Sequence, residues 1–181
     1  MRQLGMALVV TLLVSGSPGV TAAQTAPPSR SENGVRVELA DPGIGLTVPA
    51  GWTVAVDYRR ADPPPGQPTP AAERWILLTM SDASTGLNGC RLFRYEVTGT
   101  GLEAFVAALM GDQGHIATLL RLDAGEAARI DLELGGTEVA QQYLIRSGDT
   151  FYQLACLKDE GLPDPRWLSI AESFEFLPGE A

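Results

Sequence analysis

One histidine, two cysteines and a handful of paired carboxylates bound the chemistry this chain can do. His115 stands alone in Gly111-Asp112-Gln113-Gly114-His115. A single imidazole can act as a general base or give one metal ligand. A transition-metal site commonly takes three or four His, Cys or carboxylate ligands. Serine hydrolysis needs a base beside the nucleophile and an oxyanion hole. The chain has no Gly-x-Ser-x-Gly elbow, no P-loop and no Gly-x-Gly-x-x-Gly after a strand. His115 therefore reads as a polar loop residue, and neither a metal nor a cofactor is expected.

The carboxylates and arginines offer weaker constellations. Asp131 and Glu133 alternate along a strand-like segment and share a face. Two carboxylates about 5–9 Å apart in a cleft can hydrolyse glycosides, but the same spacing is that of a solvated strand face. Asp159, Glu160 and Asp164 cluster near Lys158 and carry oxygens that suit calcium, without a recognised loop pattern. Gly99-Thr100-Gly101 precedes a helical segment, where free amides attract anions. A capping box, Thr100-Gly101-Leu102-Glu103, accounts for those amides instead. Arg59, Arg60, Arg74, Arg91 and Arg94 concentrate positive charge in the first half of an acidic chain. Gathered together they could receive an acidic partner or a carboxylate ligand. Scattered, they are ordinary surface.

The cysteines point to a compartment rather than a reaction. Cys90 and Cys156 form an even pair with no Cys-x-x-Cys, which disfavours a thiol-disulfide oxidoreductase. In an exported chain such a pair suggests one disulfide, and closing so long a loop contributes about 4 kcal/mol in the chain-entropy view. Export is expected from the N-terminus. Arg2 is the only charge before Arg30. Leu8 to Val14 is apolar, Ser15-Gly16-Ser17-Pro18-Gly19 breaks it, and Ala22-Ala23 supplies small residues. These are the parts of a secretory signal peptide, cleaved after Ala23 or Ala22. The apolar run falls short of the about 20 residues a membrane anchor needs.

Charge narrows the partners. The net charge is −9, and losing residues 1–23 removes only Arg2, leaving −10. Such a chain repels phosphate backbones and anionic lipid, so no nucleic acid and no membrane surface is expected. Lys158 is the only lysine beside twelve arginines, and the abundance of Ala, Gly and Pro resembles a GC-rich bacterial source. Apolar residues make up 45%, which is enough for one sizeable core.

The elements that must carry these residues follow from periodicity. Residues 1–23 are the signal and 24–34 a disordered-type linker, leaving one domain over 35–178. Val35-Arg36-Val37-Glu38-Leu39, Gly45 to Pro49 and Thr53 to Tyr58 read as strands, the first ones forming a hairpin-like opening. Residues 62–70 are a Pro-rich surface loop. Trp75 to Met80 is a buried strand and Cys90 to Val97 the next. Leu102, Phe105, Val106, Leu109 and Met110 make a helical stripe, which Ile116, Leu119 and Leu120 continue as a second helical segment. Arg129 to Leu134, Glu138 to Arg146 and Thr150 to Lys158 form an antiparallel meander, with a tight turn at Ser147-Gly148-Asp149. Asp164 caps a last helix with Pro165 in its first turn. Trp167, Ile170, Ala171 and Phe174 are its buried stripe, and Leu177-Pro178-Gly179 ends it.

Three landmarks in this order resemble the PsbP-like superfamily, which includes PsbP, the Mog-type Ran-binding proteins and many bacterial exported proteins. They are Gly45-Leu46-Thr47-Val48-Pro49-Ala50-Gly51-Trp52, the hairpin from Tyr143 to Tyr152, and Ile170-Ala171-Glu172-Ser173-Phe174. The resemblance covers roughly residues 35–178. It implies an α+β fold, an α/β/α sandwich with helices packed on a central antiparallel sheet. It also implies an accessory or binding role without a shared catalytic set. The expectation is thus a periplasmic or secreted, non-catalytic protein that binds a protein partner. A small-ligand carrier with a pocket between sheet and helix is the alternative. A hydrolase using Asp131 and Glu133 stands behind both.

Overall fold

A computed structural model describes residues 30–31, 34–61, 73–84, 88–111, 116–134, 138–158 and 161–178. The segment read as a signal peptide, the Pro-rich loop 62–70, His115, Asp159 and Glu160 lie outside the described residues.

The alternating segments become two antiparallel sheets. The smaller contains β1 (Arg30–Ser31), β2 (Gly34–Leu39), β3 (Ile44–Pro49) and β11 (Glu175–Phe176), in the order β1-β2-β3-β11. The larger contains β4 (Trp52–Arg60), β5 (Glu73–Asp82), β6 (Gly89–Glu96), β7 (Ile116–Leu122), β8 (Gly125–Leu134), β9 (Glu138–Ser147) and β10 (Thr150–Lys158). Its order is β4-β5-β6-β10-β9-β8-β7. Helix α1 (Leu102–Met110) and helix α2 (Pro165–Glu172) complete the described elements.

Opposed residues in a ladder point to the same side, so the register sorts the large sheet's side chains into two faces. On one face Leu78, Leu92, Leu154 and Tyr143 lie in a row across four strands. This face packs against the small sheet and α2, through Val37, Ile44, Leu46, Val48, Trp167 and Ile170. On the other face Phe93, Leu144, Phe151, Ala128 and Ile130 receive Leu102, Phe105 and Val106 of α1. Phe105 stacks on Phe151 with centroids 4.2 Å apart and meets the edge of Tyr95 at 5.2 Å. Burying each such ring contributes roughly 1.5–3 kcal/mol.

The mixed α+β class holds, but the layers differ from the expected sandwich. Among the described residues α1 alone covers one face. The other is covered by a four-stranded sheet with α2 beside it. Pairing of Glu175 with Gly45 and Phe176 with Ile44 builds that sheet's last strand from the segment after α2. The helix therefore stops at Glu172, before Leu177-Pro178-Gly179. Ser173 marks the stop: its Oγ accepts the Thr47 amide at 2.8 Å and donates to the Ile170 carbonyl at 2.8 Å. Arg30 and Ser31, within the stretch read as linker, pair with Val35 and Gly34.

Two local expectations are corrected. Residues 116–122 form β7, not helix, because Asp123 and Ala124 turn the chain back and all seven residues pair with β8. Helix α1 starts one residue later than the capping box requires. Gly101 is its N-cap, with no side-chain cap bond, so Glu103 sits one position too early to reach back. Asp164 does cap α2, accepting the Arg166 amide at 2.9 Å. Gly148 has φ +59° in the two-residue turn joining β9 and β10, the left-handed backbone that favours glycine.

The expected disulfide is present. Cys90 and Cys156 oppose one another on the central strands β6 and β10 and are bonded, both buried.

Candidate interaction site on the large sheet

The site begins at β4, whose Thr, Val and Tyr residues suit a pleated surface. β4 is an edge strand, and its ladder to β5 is interrupted by a bulge between Val56 and Arg59. Pairing of Val54 with Met80, Val56 with Leu78 and Arg60 with Trp75 sets one face of β4. Tyr58 joins that face, with its ring 6.2 Å from Trp75. Val56 and Tyr58 are 52% and 43% exposed, although the same face is the core side further along the sheet.

Beside them, a row of alternating cations and rings crosses four strands. Arg60 opposes Trp75, Trp75 opposes Arg94, and Arg94 opposes Tyr152. Tyr152 leads on to Phe174 and Phe176, at 5.3 and 5.7 Å. Arg94 donates from Nη2 to Glu96 at 2.6 Å, while its Nε is buried with no hydrogen-bond partner among the described residues. A buried donor without an acceptor costs stability. Burial, then the Asp41 carboxylate, pushes the Tyr58 hydroxyl above its ordinary value, and Arg94 pulls it back. The face is thus aromatic and partly desolvated, and its two arginines carry carboxylate partners of their own, Arg94 with Glu96 and Arg60 with Glu73 at 3.5 Å.

The five arginines of the basic set do not form one patch. Arg60 and Arg94 share this face. Arg74, Arg91 and Arg59 fall on the opposite face by their pairing with Tyr95, Thr79 and Ile76. Arg74 lies over the Phe93 ring at 3.8 Å, and Arg59 pairs with Asp57 at 2.9 Å. Sheet register is what splits the set, and no local sequence signal carries it.

Of the candidate carboxylates, Asp131 and Asp164 make contacts within the fold. Asp131 accepts from Gln141 at 2.7 Å and Arg129 at 3.2 Å. Gln141 in turn accepts the Tyr143 hydroxyl at 2.9 Å. The Glu133 side chain lies outside the description. Lys158 donates to the Leu162 carbonyl at 3.3 Å. Asp164 belongs to a network with Arg166, Asp82 and Asn88, which sequence reading did not single out. Arg166 bridges Asp164 at 2.6 Å and Asp82 at 2.8 Å. Asn88 donates to Asp164 at 2.6 Å and accepts the Trp167 indole at 3.0 Å. Arg166 holds the Asp164 carboxyl down at about 2. Asp82 is held at about 2 first by the Ser84 hydroxyl and amide, then by Arg166. The network pins the start of α2 to the end of β5. Among the described residues no group of three His, Cys, Asp or Glu could hold a metal ion.

Two solved structures share this architecture. The solution structure of cyanobacterial PsbP (CyanoP) from Synechocystis sp. PCC 6803 superposes with a TM-score of 0.52 at 12% identity, covering 89% of this chain and 98% of that one. The fold is PsbP-like. A crystal structure from Bacteroides thetaiotaomicron VPI-5482 gives a TM-score of 0.52 at 11% identity over 81% of this chain. The matched part spans about half of the Bacteroides chain, 49%. At these identities the likeness is one of fold. No known family profile matches the sequence, and no curated protein matches it. Among the described residues no helix is long and apolar enough to cross a membrane.

Proposed function

We infer that the chain is an exported accessory protein of the PsbP-like superfamily that acts by binding a protein partner, without chemistry of its own. One observation carries the reading: Val56 and Tyr58 stand exposed beside the Arg60–Trp75–Arg94–Tyr152 row. Large apolar groups held on a rigid sheet and flanked by arginine are typical anchors of protein interfaces. The partner presents an apolar side chain next to a carboxylate, which exchanges with Glu73 and Glu96 for the guanidinium groups of Arg60 and Arg94. The PsbP-like fold and the buried disulfide are consistent with an exported protein. A carrier pocket between sheet and α1 is favoured less, because rings of Tyr95, Phe105 and Phe151 fill that seam.

The test is co-purification from the exported fraction of the native host. The wild-type chain retains one protein partner, and a Val56→Ser/Tyr58→Ala/Arg60→Glu variant loses it. Arg91→Ala, on the opposite face, keeps it. Retention by the triple variant contradicts the reading, as does a robust turnover or a small molecule travelling with the purified chain.

A further inference from the structure

The other edge of the large sheet is built differently. β7 reads Ile116-Ala117-Thr118-Leu119-Leu120-Arg121-Leu122, with one charge and no proline or glycine. Among the described residues it pairs with β8 alone. Ala117, Thr118, Leu119 and Arg121 are exposed, Leu119 at 58%. Proteins normally blunt such an edge with charge, proline or a bulge.

The hairpin geometry fixes which backbone groups are free. Leu122 opposes Gly125 across the two-residue turn Asp123-Ala124, so these two form a hydrogen-bonded pair. Hydrogen-bonded and non-bonded pairs then alternate along an antiparallel ladder. Thr118 and Leu120 direct their N–H and C=O groups at β8. Ala117, Leu119 and Arg121 direct theirs outward. This outward set is centred on Leu119 and symmetric about it.

We propose that β7 is a self-pairing edge, and that two copies of the chain join their large sheets through antiparallel β7–β7 pairing about a two-fold axis at Leu119. In that register Leu119 opposes Leu119, Ala117 opposes Arg121, and Thr118 opposes Leu120. Every outward backbone group meets another. The strand's only charge faces an alanine, so no like charges oppose one another. The exposed leucine is covered by its mate, on the face where α1 lies over β8 and β9. A two-fold interface uses the same patch twice, as this register does. One strand pair is a small interface, so the dimer is weak and concentration-dependent. Two chains of net charge −9 repel, so added salt strengthens the association.

The test combines sedimentation with amide exchange on the whole chain, from about 1 µM to about 1 mM. The expected result is a monomer–dimer equilibrium. The Ala117, Leu119 and Arg121 amides gain protection as dimer forms, while Thr118 and Leu120 are protected throughout. Leu119→Arg weakens the dimer by more than about tenfold. Ala117→Pro does the same by deleting an outward N–H that β8 does not use, so the outcome does not rest on one variant's folding. A monomer at every concentration overturns the proposal. So does a dimer formed without the alternating protection, or a larger assembly.

Discussion

The two edges of one sheet solve the same problem in opposite ways. β4 carries a bulge, the Asp57–Arg59 ion pair at 2.9 Å and the Arg60–Glu73 pair at 3.5 Å. Bulges and charges stop a strand from recruiting another by backbone pairing. What β4 offers instead is side chains, Val56 and Tyr58, on the face that continues into Trp75 and Arg94. Among the described residues β7 has neither bulge nor ion pair, and it offers backbone on a strand with one charge. One sheet can therefore separate two kinds of contact. On the proposed reading the guarded edge selects by side chain, and the open edge accepts a strand of matching register.

Both edges depend on the centre of the sheet. Cys90 and Cys156 join the central strands, with the two edges on either side. Replacing both by Ala should cost about 2–5 kcal/mol by denaturant unfolding, and both edges should lose function together. Asp164→Ala should cost about 0.5–2 kcal/mol through the lost helix cap. It also leaves Arg166 and Asn88 short of an acceptor, yet it lies on neither edge and should spare both contacts.

Acid should act through the same network. The Asp82 and Asp164 carboxyls titrate at about 2 in the folded chain but near 4 when unfolded. As pH falls through about 4 toward about 2, the unfolded state takes up protons first, so stability is present above this window and is lost within it. The melting temperature should fall across that range in the wild type, and less steeply in an Asp82→Asn/Asp164→Asn variant. The smallest stability effects belong to the edges themselves. Tyr58→Ser and Leu119→Lys should each leave unfolding free energy within about 0.5 kcal/mol. The first should remove partner binding and the second self-association, neither crossing over.

Where local chemistry decided structure, the sequence was readable. Strict alternation in Arg129 to Leu134 placed a strand, Asp164-Pro165 placed a helix start, and the cysteine pair closed as expected. Ile116, Leu119 and Leu120 misled because their spacing also fits a helix face. Pairing with β8, made possible by the Asp123-Ala124 turn, decided the matter. Helix α1 shows a smaller failure of the same kind, with Thr100 and Glu103 one residue out of register for a box. The small sheet was hidden further, because β3 and β11 come from opposite ends of the domain. The candidate site was half legible. Arg60 and Arg94 stood out by charge, but only the ladder register separates them from Arg59, Arg74 and Arg91 and sets Trp75 between them. Tyr58 and Val56 gave no signal, since an alternating strand does not reveal which part of its apolar face stays uncovered.

The most direct measurement places a photo-crosslinking residue at position 56 or at position 119 of the full chain in its native host. Position 56 should yield an adduct with a different protein, abolished by Arg60→Glu. Position 119 should yield an adduct at twice the mass of the chain, unaffected by Arg60→Glu. Identical adducts from the two positions, or a copy of the chain captured at position 56, would contradict the separation of the two edges.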